Sequence, residues 1–171
     1  MPYLAICVAL LFRLAPHPWN VTPLGAMFLF SGAMVKNKPA SLLVPLAALV
    51  VSDAAVDMLL YGGRYSWFSP FTWGAFLAVA MIGWLLRPNA GALRVAGASL
   101  AGSATFFLIS NFGVWAQGHY TPDLQGLVEC YVAAIPFLRN TLLGDLGYAA
   151  LLFGGSHLYT RYMPRPVQVA A

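Results

Sequence analysis

Residues 109–148 read ISNFGVWAQGHYTPDLQGLVECYVAAIPFLRNTLLGDLGY, and this stretch decides how the chain is interpreted. An amide, an imidazole, carboxylates and a guanidinium interrupt apolar sequence here, around an apparent reversal of the chain at 116–126. Polar and ionisable groups inside apolar sequence are costly and therefore indicate a functional site. The stretch predicts such a site at a polar loop, with Asn111 and Trp115 before the loop and Arg139 after it.

The composition of the whole chain agrees with a membrane protein. Of its 171 residues, 60% are hydrophobic and 8% are charged, and the mean hydropathy is +0.74. A soluble domain carries about 25% charged residues. Because a spanning helix needs roughly 20 apolar residues, the chain has room for about six spans and no separate soluble domain. We therefore expect an all-α polytopic membrane bundle that forms a single integral membrane domain over residues 1–171.

Apolar segments along the chain give the expected spans. Prolines, glycines and basic turns separate these segments. The predicted spans cover residues 2–14, 23–35, 40–61, 71–86, 95–115 and 138–159. Residues 127–137 are apolar but too short to cross, and Pro136 is expected to interrupt the chain before the last span.

The distribution of basic residues predicts the orientation. Loops alternate between the two sides of a membrane, and one side would hold Lys36, Lys38, Arg87, Arg94, Arg161 and Arg165. The positive-inside rule then places both termini in the cytoplasm. The polar loops at 16–21, 61–69 and 116–126 would face outward, on a multi-pass protein of the bacterial inner (cytoplasmic) membrane.

Polar and aromatic side chains converge at the predicted outer ends of the helices. Apolar and aromatic walls with a few placed polar groups are typical of a small-molecule pocket. For the tryptophans the alternative is an aromatic belt at the membrane interface. The candidate substrate-binding residues are Trp19, Asn20, Asp57, Trp67, Trp73, Asn111, Trp115, Arg139 and Asn140.

The carboxylates within the spans also have structural interpretations. Asp53 and Asp57 are four residues apart and share one helix face. A buried charge must be paired or neutralised, and Arg139 is the obvious basic partner at that depth. We therefore favour a structural ion pair with Arg139 over ligand contact. For Asp145 we favour a hydrogen bond to a Ser, a Thr or Asn111 over ligand contact.

Metal binding, catalysis and nucleic-acid binding have little support in the sequence. His17, His119 and Cys130 are the candidate metal ligands, but they show no metal-ligand spacing, so no metal site is expected. The sequence also lacks the usual catalytic motifs and a phosphate-binding glycine loop, so we expect neither an enzyme nor a cofactor. Because there is no Lys/Arg run or aromatic RNA-binding motif, we expect no nucleic-acid partner.

Four segments carry a resemblance to a known family. They are NVTPLGAMFLFSGA at 20–33, LVPLAALVVSDAAVDMLL at 43–60, WFSPFTWGAFLAVAMIGWLL at 67–86 and SATFFLISNFGVW at 103–115. With these segments the chain resembles the substrate-binding (S) components of energy-coupling factor (ECF) vitamin transporters, and it is closest to the cobalamin-type S proteins. It is also similar to a group of uncharacterised bacterial membrane proteins that share the NFGVW and IPFxxNTLLGD signatures.

The resemblance implies a function and partners. It implies six helices and a pocket near the outer face for a vitamin-like, for example corrinoid, small molecule. The chain would then be a substrate-capture subunit or a solitary uptake protein. In the former case its partners are a coupling subunit and ATPases, and Ala5 and Ala9 match the A-x-x-x-A motif by which S components dock. The alternatives are a membrane scaffold without a ligand, or a membrane-embedded enzyme that uses Asp53, Asp57 and Asp145 on a lipid.

Overall fold

A computed structural model of the chain describes residues 2–14, 20–63, 69–87 and 89–162. The described residues form α-helices and no β-strand, which confirms the predicted all-α class. The six helices are α1 (Pro2–Leu14), α2 (Leu24–Met34), α3 (Lys38–Val56), α4 (Pro70–Gly83), α5 (Ala92–Val114) and α6 (Leu124–Tyr162). Three of these helices continue into short helical segments. A π-helix follows α3 (Asp57–Tyr61), a 3₁₀-helix follows α4 (Trp84–Leu86) and a second π-helix follows α5 (Trp115–His119).

The helices run up and down, so the bundle has two distinct ends. At one end α1, α3 and α5 finish and α2, α4 and α6 begin, and we call it the loop end. The opposite end, with the short connections at 35–37 and 87–91, we call the turn end. The loop end corresponds to the outer side of the sequence-based topology.

Helix α2 lies at the centre of the bundle and contacts all five other helices. Its sequence, LGAMFLFSGAM, has no polar face, and nine of its 11 residues are buried. A helix that is apolar all round is expected in such a position. Gly32 of α2 and Gly83 of α4 meet where these two helices cross, and a methyl group on either would collide with a backbone carbonyl of the other helix. The two backbones therefore touch, as small residues permit in membrane helices.

Two helical segments are long and apolar enough to cross a bilayer, Lys38–Leu59 and Ala92–His119. This number is smaller than the six spans that the sequence predicts. The apolar helices α1, α2 and α4 are shorter, and α2 with its 11 residues is only about 16 Å long. The longer helices α3, α5 and α6 therefore extend well beyond the N-terminal end of α2.

Helix α6 corrects one prediction. It runs through Pro136 as one helix of 39 residues, about 58 Å long, so the expected interruption before a last span at 138–159 is wrong. Proline removes one backbone hydrogen bond, but contacts with neighbouring helices can offset this loss. Both halves of α6 are held on α5: the Tyr131 hydroxyl donates to the Leu108 carbonyl (2.6 Å) before Pro136, and Asp145 bonds Ser103 after it.

At the turn end, Arg87 holds the C-terminal end of α2. Its guanidinium donates to the backbone carbonyls of Gly32 (3.0 Å), Val35 (3.0 Å) and Lys36 (3.1 Å). The last carbonyls of a helix have no partner within the helix, and the helix dipole makes this end negative. The Arg87 guanidinium therefore supplies hydrogen bonds and a positive charge to the carbonyl groups at the C-terminal end of the central helix.

Candidate functional site

A cavity of about 400 Å³ lies at the loop end, directly over the N-terminal end of α2. Its presence follows from the length of α2, because this short helix fills only part of the space that its longer neighbours enclose. Every helix contributes to the wall. The described lining residues are Arg13, Asn20, Thr22, Leu24, Gly25, Leu49, Asp53, Ser69, Thr72, Phe76, Phe106, Thr141 and Asp145.

Asp145 of α6 forms the part of the wall next to α2. Its side chain is buried, and Oδ2 accepts a hydrogen bond from the Ser103 hydroxyl (2.7 Å). The carboxyl also lies directly against the first turn of α2, at Gly25. The residue before α2, Pro23, provides no side-chain cap. Asp145 therefore places a carboxylate from another helix at the N-terminal end of α2, which is the positive end of its dipole.

Gly25 makes this approach possible. A Cβ atom at residue 25 would overlap the carboxyl group of Asp145. The glycine thus leaves room for a carboxylate against the backbone of α2. The hydrogen bond to Ser103 confirms the favoured sequence-based interpretation of Asp145, a bond to a Ser or Thr on another helix. The sequence did not place Asp145 among the pocket residues, although its carboxylate lines the cavity.

An ion pair between Arg13 and Asp53 forms another part of the wall. The Arg13 guanidinium donates to the Asp53 carboxylate and to the Ser52 hydroxyl, and so ties the end of α1 to α3. Both charged side chains are 15% exposed. The predicted pairing of Asp53 with Arg139 is wrong, because Arg139 is exposed on the continuous helix α6. Arg13 and Asp53 both lie near the predicted outer ends of their spans. This shared position is the sequence signal that could have predicted their ion pair.

Only one of the described candidate residues from the sequence lines this cavity, namely Asn20. Its backbone is in the left-handed region (φ 60°), which Asn adopts more readily than most residues. A second cavity of about 110 Å³ lies beside the first, and both share Asn20, Phe106 and Thr141. Asn111, another candidate, lines the second cavity, where its amide also donates to the Phe107 carbonyl (2.8 Å).

The other candidates occupy different positions. Asp57 is buried at the start of the turn that follows α3, and Trp73 packs against the apolar core. Arg139 is exposed and Asn140 is half-buried, and both lie on α6 outside the described linings of the two cavities. Trp19 and Trp67 lie outside the described residues.

Trp115 helps to shape the loop between α5 and α6. Its indole N–H donates to the Thr121 carbonyl (2.9 Å). Asp123 then starts α6, because its Oδ1 accepts from the Gly126 N–H (2.7 Å) and from the Thr121 hydroxyl (2.9 Å). These two hydrogen bonds to the charged form, the Gly126 bond first, lower the pKa of Asp123 below its ordinary value of 3.8.

Among the residues that the structure describes, the candidate metal ligands do not form a cluster. His119 is exposed with Nδ1 3.2 Å from the Val114 carbonyl, and the Cys130 thiol donates to the Asn111 carbonyl (3.3 Å). His17 lies outside the described residues. In the part of the chain that the structure describes, no three His, Cys, Asp or Glu side chains come together as metal ligands would.

The two docking alanines of α1 differ in their surroundings. Ala9 is buried in the core of the chain itself, with 3% of its surface exposed. Ala5 is half-buried and lines an apolar groove of about 330 Å³ between α1 and α6. In this structure, therefore, only Ala5 borders a surface that a second membrane helix could reach, and the docking role of the pair stays a prediction.

A family model described as a family of unknown function (DUF6580) matches residues 1–166, so the chain belongs to this family. The match includes all six helices and therefore both cavities at the loop end. No curated protein matches the chain. No solved structure matches it either.

Proposed function

We propose that this member of DUF6580 binds a small molecule in the loop-end cavity and acts as a substrate-capture subunit or as a solitary uptake protein. The observation that carries the proposal is the cavity itself, about 400 Å³ in volume within an apolar helical bundle. Eight of its 13 described lining residues have polar or charged side chains, and two leucines and two phenylalanines supply apolar surface. The cavity is thus more polar than most ligand pockets, and it offers many hydrogen-bonding groups beside two aromatic rings. Its position over the short central helix makes it part of the architecture of the fold.

The volume of the cavity indicates the size of the ligand. Ligand pockets span roughly 300–1,000 Å³, and this cavity is near the lower limit. A compact, vitamin-sized ring compound fits this space. A whole corrinoid, with its macrocycle and nucleotide tail, is larger than the cavity. Among vitamin-like molecules we therefore favour the small ones.

The charge distribution supports an orientation with the cavity on the outer side of the bacterial inner membrane. The described basic residues at the turn end are Lys36, Lys38, Arg87, Arg94 and Arg161. Under the positive-inside rule this end faces the cytoplasm. The loop end would then receive a ligand from outside the cell.

Release of the ligand on the inner side requires either a partner or a movement of this chain alone. The sequence contains no phosphate-binding loop, so ATP hydrolysis would come from a coupling subunit with its ATPases. The groove beside Ala5 is an apolar surface on which such a subunit could pack. This role rests on the resemblance to S components.

Purification of the full chain, followed by mass spectrometry and absorbance measurements of what co-purifies, tests the proposal. The variant Thr141→Leu would place apolar bulk where both cavities meet. Thr160→Leu is the matched control, because both hydroxyls donate to carbonyls of α6 and Thr160 is exposed near the turn end. We expect Thr141→Leu to lose the co-purified molecule and Thr160→Leu to keep it.

Two results would count against the proposal. One is a wild-type protein that co-purifies with no small molecule and binds no vitamin in calorimetry. The other is a Thr141→Leu protein that holds its ligand as well as the control does. A scaffold without a ligand would produce the first result.

A further inference from the structure

We propose that the ligand of the loop-end cavity carries a cationic nitrogen, as a protonated amine or a charged nitrogen heterocycle, attached to a compact ring. This inference rests on the proposed function and adds the chemical class of the ligand. Three features of the cavity support it: the balance of charges in the wall, the way in which Arg13 is already bonded, and a pair of aromatic rings.

The first feature is an excess of negative charge. The described ionisable residues in the lining are Arg13, Asp53 and Asp145. Arg13 and Asp53 form an ion pair, so their charges balance. Asp145 receives its hydrogen bond from a neutral donor, the Ser103 hydroxyl. The N-terminal end of α2 offsets only about half a charge, so the described wall stays negative.

A buried charge without a partner is costly, and a ligand of opposite charge removes part of that cost. Asp145 has 6% of its surface exposed, and its carboxylate borders the cavity. A cationic ligand group could therefore pair with Asp145 where water alone cannot solvate it fully. A neutral ligand would leave the carboxylate without such a partner.

The second feature argues against an anionic ligand. Arg13 is the one described cation in the lining, and both terminal nitrogens of its guanidinium already donate to α3: Nη1 to Ser52 and Nη2 to Asp53. An anion could reach only the remaining N–H groups of Arg13, and there it would lie next to the Asp53 carboxylate. The positive charge of Arg13 is already balanced by Asp53, and repulsion from that carboxylate disfavours a second anion.

The third feature is aromatic. Phe76 of α4 and Phe106 of α5 both line the cavity, with their ring centroids 4.6 Å apart. The face of an aromatic ring attracts cations and stacks on planar rings. Two rings together with a carboxylate form a wall that suits a charged ring compound.

Three probes with the same ring and different charges test this inference: tryptamine (cationic), indole-3-acetamide (neutral) and indole-3-acetate (anionic). Their dissociation constants are measured by calorimetry on the full chain in phosphatidylcholine nanodiscs, after removal of any co-purified molecule. We expect tryptamine to bind on the order of tenfold more tightly than the other two probes.

Two variants and a control test whether carboxylates in the cavity wall cause the preference for the cationic probe. Asp145→Asn should weaken tryptamine binding on the order of tenfold and leave indole-3-acetamide unchanged. Asp53→Asn, which leaves Asp145 in place at the N-terminal end of α2, should weaken tryptamine binding and strengthen indole-3-acetate binding, because Arg13 loses its charged partner. Glu129→Gln removes an exposed carboxylate of α6 that bonds Gln125, and it should change none of the three constants.

The outcomes separate this inference from the proposed function. Tighter binding of the amide or the acetate, or an unchanged order of the three probes in both Asp variants, overturns the cationic class and leaves the proposed function standing. A co-purified ligand that mass spectrometry identifies as neutral or anionic would also overturn the cationic class and leave the proposed function standing. If no probe binds and nothing co-purifies, the inference and the proposed function both fail.

Discussion

At Gly25 the absence of a side chain determines where a carboxylate can lie. The Asp145 carboxyl occupies the space that a Cβ atom would take, so it lies at the N-terminal end of α2. In the sequence, Gly25 looked like one of several small residues that suit helix packing. Its role depends on a residue 120 positions away in the chain, and local sequence contains no signal for that contact.

We predict that Gly25→Ala destabilises the protein by about 1–3 kcal/mol, because the methyl group forces the Asp145 carboxyl away from α2. Gly74→Ala on α4 is the matched control, since a Cβ there meets nothing within 4 Å. Alanine favours a helix over glycine, so the control should be neutral or slightly stabilising. Thermal unfolding in detergent measures both variants, and equal melting temperatures would contradict the described contact.

The partner of Asp53 shows what the sequence could and could not predict for single residues. Burial of the charge and its need for a partner followed from its position in an apolar segment. The choice of Arg139 assumed that a new helix begins near that residue at the outer end of the bundle. Since α6 is continuous, Arg139 lies on an exposed face, and Arg13 reaches Asp53 instead.

Among the helices, α6 departs most from its predicted form. Pro136 and the short apolar segment at 127–137 predicted a break in the helix, and both are sound local signals. They were overridden because α5 and α6 pack side by side, with bonds to α5 on both sides of Pro136. Helices α1 to α5 begin and end within a few residues of the predicted spans, since hydrophobic segments and basic turns mark their ends.

The start of α6 should depend on pH. Hydrogen bonds from Gly126 and Thr121 lower the pKa of Asp123 below 3.8, so the cap stabilises the helix above that ordinary value. Its contribution is lost as the pH falls through the lowered pKa of the folded state. We predict that hydrogen exchange in the peptide at 120–128 is slow at pH 7 and faster, relative to the intrinsic rate, below pH 3.8.

Asp123→Asn is the control for this effect. An amide does not titrate in this range, so the variant should show the same protection at both pH values. A wild-type protein whose protection does not change with pH would show that the cap does not hold the start of α6.

For the molecule as a whole, the sequence located the candidate site better than it identified its residues. Polar groups at the outer ends of the spans predicted a pocket there, and the cavity lies at that end. Thr72, Phe76, Phe106 and Thr141 were missed because single polar or aromatic residues are common in such helices. Which of them face inward depends on how each helix is rotated about its axis, and tertiary packing sets that rotation.

The orientation of the bundle can be measured in intact cells with exposed cysteines that are introduced one at a time. In a background with Cys7→Ser, Gln117→Cys lies in the turn after α5 at the loop end, and Lys36→Cys lies at the turn end. We predict that a membrane-impermeant maleimide labels the cysteine at 117 and not the one at 36. Cys130 is buried and should stay unlabelled in both variants. The reverse pattern would place the cavity on the cytoplasmic side.

The contacts at the two ends of α2 have a consequence for the depth of the loop-end cavity. Arg87 holds the C-terminal end of this helix, so the number of residues in α2 determines how far its N-terminal end reaches towards the loop end. One additional turn would raise the floor of the cavity by about 5.4 Å and carry the N-terminal end past Asp145. In this chain, the spacing between Pro23 and Lys36 therefore sets the depth of the cavity.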